Sequence, residues 1–147
     1  MTTPAEATSP AEALSPSVRR RTRALAVVGG IVAALVVWVL AKYVFDVELQ
    51  VTQPGTDTVL EIGPALVIGS ALVGALIGWT VLALLERSVA RARTIWTWLA
   101  LAGLLLSFVT PLTAQGATGG TKLSLALMHV AVAAVVIPIF ARTSPRS

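Results

Sequence analysis

Four stretches of the chain are almost free of charge: 24–45, 62–85, 94–112 and 123–140. Each runs 18–24 residues, close to the ~20 that a helix needs to cross a hydrocarbon layer ~30 Å thick. The pattern predicts an all-α membrane protein, a four-transmembrane-helix antiparallel bundle made of two helical hairpins, helices one with two and three with four. The third connection, TAQGATGG (113–120), is short and uncharged and suits adjacent antiparallel helices. Only the first connection changes period. In DVELQVTQPGTDTVLE (46–61) apolar residues alternate at Val47, Leu49 and Val51, and Pro54-Gly55 suits the centre of a type II turn. Thr58, Val59 and Leu60 then favour a short extracellular β-hairpin supported by the bundle, with a flexible loop as the alternative.

Ahead of the first apolar run, residues 1–18 hold prolines at positions 4, 10 and 16 and the tetrad PAEA twice. That mixture offers nothing to bury and is read as a disordered cytoplasmic segment. Residues 19–142 form the transmembrane domain and 143–147 a cytoplasmic tail. The apolar run behind Arg19, Arg20, Arg21 and Arg23 is too long for a signal-peptide core of 7–15 residues and lacks a clear cleavage site, so the first helix is expected to be a retained span.

Composition sharpens the class. Hydrophobic residues make up 56% of the 147 and charged residues 12%, half the usual ~25%. Soluble enzyme folds and nucleic-acid modules are thereby excluded. The absence of cysteine excludes disulfide scaffolds and thiolate chemistry. Nine of the eleven cations fall on one side of an even number of spans, at the head, at Arg87, Arg91 and Arg93, and in the tail at Arg142 and Arg146. The other side keeps Lys42 and Lys122 beside Asp46, Glu48, Asp57 and Glu61. The positive-inside rule therefore places both termini in the cytoplasm. Trp79, Trp96 and Trp98 fit the inner interface, Tyr43 and Phe45 the outer one. Lys42, three residues from its span end, is expected to snorkel outward; a pore counter-ion is the sharper alternative.

Small residues mark the faces on which helices meet in lipid. Ser70, Gly74 and Gly78 form one stripe on helix two, and Ala26, Gly30 and Ala34 another on helix one. Docking of these two helices on each other is the simple reading, with homodimerisation as the alternative. One polar group per helix is expected at a common depth: His129, Ser107, Ser70 and Trp38. A buried imidazole without a partner costs roughly 1–3 kcal/mol, so His129 should bond one of the other three. It serves either helix register or a ligand-sensing or proton-handling role. With one histidine and no carboxylate at depth, no metal, haem or other cofactor site is expected. Glu61 and Glu86 lie at span ends, where carboxylates are solvated. Pro138 should kink helix four near Ala134. No catalytic residues are identified.

The segments RTIWTWLALAGLLLSFVTPLTA (93–114) and LALMHVAVAAVVIPIFAR (125–142) pair a Trp-led helix ending in Ser-x-x-x-Pro-Leu with a His-led helix ending in Ile-Pro. Through Trp96, Ser107, Pro111, Leu112, His129, Ile137 and Pro138 the chain, over about residues 20–142, resembles an actinobacterial family of small integral membrane proteins of unknown function (domain-of-unknown-function family 6069). The resemblance implies four helices and a plasma-membrane location, and no reaction. The expected function is that of a non-enzymatic binding or assembly subunit, its partners being the lipid bilayer and another membrane protein or itself. A small transporter or channel component acting as an oligomer is the alternative. A bundle packed solid favours the first, and a solvent-accessible cavity at mid-membrane the second.

Overall fold

The computed structural model describes residues 15–145. The stretch 1–14, most of the Pro/Ala/Ser-rich head, and residues 146–147 lie outside them. Helix α1 spans Pro16–Val39, eight residues ahead of the apolar run. Ser15 caps it, its hydroxyl accepting from the Val18 amide, and Pro16 follows in the first turn, where a missing N–H costs nothing. Residues 16–18, placed in the head by sequence, are therefore helical. At its far end α1 relaxes into a π turn, Leu40–Val44. Asp46 then takes a left-handed conformation (φ 50°), and the Val47 amide reaches back to the Ala41 carbonyl at 2.9 Å, so the chain stops on a left-handed residue as helices commonly do.

The first connection folds as the two-stranded hairpin. Strands β1 (Gln50–Thr52) and β2 (Val59–Glu61) pair antiparallel with Val51 opposite Leu60. Gly55 sits at φ 82° and the Thr56 amide bonds the Gln53 carbonyl at 3.1 Å, as a type II turn on Pro54-Gly55 requires. The hairpin closes over one end of the bundle. Leu49 and Ile62 are buried with Trp38, Ala41, Val67 and Met128, the Thr52 amide donates to the Gln115 carbonyl at 2.8 Å, and the Thr121 hydroxyl to the Glu48 carbonyl at 2.6 Å. That support lets so short a sheet persist.

Helix α2 spans Pro64–Ser88, α3 Ala92–Ser107, the short α4 Val109–Thr113, and α5 Gly119–Thr143. The α3–α4 break at Phe108 follows from Pro111, which has no N–H for the Ser107 carbonyl. Ser107 instead turns its hydroxyl onto the Leu104 carbonyl at 2.7 Å. Together α3 and α4 form one segment, so that four are long and apolar enough to cross a membrane. The protein is thus an all-α, four-helix membrane protein with a small antiparallel sheet between its first two spans.

Both expected hairpins are in contact, α1 with α2 and the α3–α4 segment with α5, and the widest interface joins one hairpin to the other. Helix α1 packs most extensively against α5 and next against α2. Its stripe explains why: Ala26 and Ala34 are each 1% exposed, and a Cβ on Gly30 would stand 3.0 Å from Val136 and 3.4 Å from Val132. The small residues of α1 thus receive the valines of α5, not the stripe of α2. On α2, Ser70 and Gly74 are exposed, and a Cβ added at Gly74 would meet nothing within 4 Å. Its buried face is Val67, Ala75 and Leu82. Gly78, by contrast, faces α3: a Cβ there would stand 3.9 Å from the Trp96 ring. Helix α5 stays helical through Pro138.

Candidate functional site at the arginine-rich end

The expected polar layer does not assemble. His129 directs Nδ1–H at the Leu125 carbonyl of its own helix, 2.7 Å away, and the hydroxyls of Ser107 and Ser70 bond Leu104 and Val67 in theirs. The Trp38 indole donates to the Ile62 carbonyl at 2.7 Å, at the mouth of α2. Each polar group finds a backbone acceptor within its own helix or at a helix mouth, which meets the cost of burial without any contact between side chains. His129 has no bond to Ser107, Ser70 or Trp38.

The polar centre lies instead at the end of the bundle opposite the hairpin, where residues read as separate interfacial charges converge. Arg23 is 3% exposed. Its Nε donates to the Thr143 hydroxyl at 3.0 Å and one Nη to the Thr143 carbonyl at 3.3 Å. Its fork also meets the Glu86 carboxylate at 3.2 and 2.5 Å. One guanidinium therefore joins α1, α2 and α5. The Thr143 carbonyl belongs to the last turn of α5, where carbonyls lack helical partners and carry negative potential, so a cation is well placed there. Phe140, fully buried, lies with its ring centroid 6.0 Å from the guanidinium. Trp79 and Trp96 close around that ring at 6.0 and 5.7 Å, and the Trp96 indole bonds the Gly78 carbonyl at 2.8 Å. Trp96 is thus interior, 2% exposed, whereas Trp98 projects outward at 70%.

The sequence carried a signal for this centre. Arg23 continues the stripe of Ala26, Gly30, Ala34 and Trp38 by one helical step, and Glu86 continues Ala75, Trp79 and Leu82. A charge in phase with a packing face is a candidate for burial. Next to the pair, a cavity of about 320 Å³ opens between the start of α1 and the end of α2. Among the described residues no cluster of His, Asp and Glu suits a metal ion.

At the hairpin end, Lys42 pairs with Glu61 and lies 5.6 Å from the Trp38 ring centroid. The hydrogen bond from Lys42 holds the Glu61 carboxyl below its ordinary pKa, and the ammonium's charge adds to this. Lys42 therefore turns outward, toward the loop.

The residues behind the sequence resemblance include the interior Trp96, the buried Pro111 that breaks α3 from α4, and Pro138 within α5. The family model described as "Family of unknown function (DUF6069)" matches residues 14–146. The chain belongs to this family. That match takes in all four spans, the hairpin and the Arg23–Glu86 pair. No curated protein matches the chain, and no solved structure does.

Proposed function

We propose that this member of the family acts by binding, as a non-enzymatic assembly subunit of an actinobacterial plasma membrane, with both termini cytoplasmic. The observation that carries the reading is the filled interior. Between Arg23 and the hairpin, the space shared by α1 and α5 is occupied by Ala26, Val27, Gly30 and Ala34 against Val132, Val136 and Phe140. His129 is held to its own helix. Such an interior favours a packed scaffold over a conducting path. Ser70 and Gly74 are exposed on α2 and a Cβ added at Gly74 would meet nothing within 4 Å, and small residues let a second helix approach closely in lipid. Another membrane helix is its partner in this reading.

A photo-crosslinking residue at Gly74, in cells, tests it. One stoichiometric protein adduct, lost when Ser70 is replaced by leucine, is the expected result. Adducts with lipid alone would overturn the reading. Orientation is tested by reporters active only in the cytoplasm: fusions at Ser147 and near Val89 should work and fusions at Gly55 and Gly116 should fail. Activity at Gly55 would refute it.

A further inference from the structure

The cavity beside the Arg23–Glu86 pair is lined by Arg19, Arg20 and Arg23 from α1 and by Trp79, Glu86 and Arg87 from α2. Trp79, Glu86 and Arg87 recur on one helical face, turned toward the first turns of α1. The carboxylate of Glu86 is committed to Arg23. Among the described residues the ion pairs are Arg23–Glu86 and Lys42–Glu61, so Arg19, Arg20 and Arg87 have no carboxylate within pairing distance. Three guanidinium groups thus converge on one cleft without compensation by those residues. A volume of about 320 Å³ lies within the range of small-ligand sites.

We propose that this cleft binds the phosphate of an anionic phospholipid. Guanidinium forks match phosphate oxygens in planar, two-point hydrogen bonds, which favours phosphate as the ligand chemistry. Placement favours a lipid source. The cleft lies where two membrane-spanning helices end, its floor is an internally neutralised ion pair, and the Trp79 indole gives it an apolar wall. Basic pockets between spanning helices hold anionic headgroups in this way. Arg23 and Glu86 support the floor, and Arg19, Arg20 and Arg87 hold the headgroup.

The test uses the full chain in detergent, with lipid retention read by native mass spectrometry against phosphatidylglycerol, phosphatidylcholine and inorganic phosphate. The parent should retain phosphatidylglycerol in preference to phosphatidylcholine, and Arg20→Gln/Arg87→Gln, at two exposed positions, should weaken that retention about tenfold. The control Arg91→Gln/Arg142→Gln removes equal charge at the same end, also from exposed positions but outside the cleft, and should change retention by less than about twofold. Equal losses in the two variants, or none in the first, would overturn the site. Displacement of the lipid by an equal concentration of inorganic phosphate would overturn the lipid assignment.

Discussion

Replacing Glu86 by alanine leaves Arg23 charged and buried with half of its partners. The guanidinium makes two bonds to Glu86 and two to Thr143, and only the latter survive. A charge-assisted hydrogen bond contributes about 1.5–3 kcal/mol, and removing one member of a buried pair costs about 3–5 kcal/mol. Arg23 lies at the edge of the apolar run, where its stem can carry the head outward, so a loss near the lower figure, about 3 kcal/mol, is expected. Glu86→Gln keeps one acceptor and loses the charge, and should cost about half as much. Arg23→Met/Glu86→Leu removes both charges and should return to within about 1 kcal/mol of the parent. Reversible unfolding in bicelles, followed by steric trapping of the separated helix ends, measures these four proteins and the single variants Arg23→Met and Glu86→Leu, which close the cycle. A Glu86→Ala protein within about 1 kcal/mol of the parent would refute the argument, as would a double variant with the summed loss of its two single changes.

Three further outcomes follow from the geometry. Gly116→Ala places a Cβ 2.2 Å from the Thr52 hydroxyl at φ 68°; it should lower stability by about 1–2 kcal/mol from the backbone alone and expose the Thr52 amide to faster hydrogen exchange, and unchanged exchange would contradict the hairpin's seat. Gly30→Leu should separate α1 from α5 and cost more than about 2 kcal/mol, whereas Gly74→Leu should leave bundle stability within about 0.5 kcal/mol; equal costs would refute the assigned faces. The lowered pKa of Glu61 means that its pairing with Lys42 stabilises the folded state above the ordinary carboxylate value and is lost as pH falls through the lowered one; carboxyl NMR titration should show Glu61 titrating at lower pH in the parent than in Lys42→Met, and coincident curves would exclude the bond.

The spans were legible because length and hydropathy alone decide them, and the hairpin because Pro54-Gly55 and the alternation at Val47, Leu49 and Val51 mark a turn between strands. Which helix faces which was not. Small-residue spacing identifies a face able to pack without naming its partner, so the stripe at Ala26, Gly30 and Ala34 read equally well against α2 as against α5. The stripe at Ser70, Gly74 and Gly78 has the same spacing, yet its Ser70 and Gly74 face away from the bundle. Polar residues misled for a related reason. Matching depth suggested that His129, Ser107, Ser70 and Trp38 would meet, but backbone carbonyls one turn away satisfy three of them locally. Arg23 and Glu86 were overlooked because charges beside a span are usually solvated, although their helical phase with Ala26 and Leu82 pointed inward.

The pairing of α1 with α5 has a consequence for biogenesis. The chain leaves the ribosome N-terminus first, so the helix that covers Gly30 is the last to be inserted, and Arg23 waits across 120 positions for Thr143. Contacts so distant in sequence slow assembly. A nascent chain stopped before Gly119 would carry inserted helices, with the face of Ala26, Gly30 and Ala34 open to lipid and half of Arg23's bonds unmade. Completion of the last helix is therefore the step at which the bundle acquires its core, and an unfinished product carries an exposed groove and a half-satisfied cation.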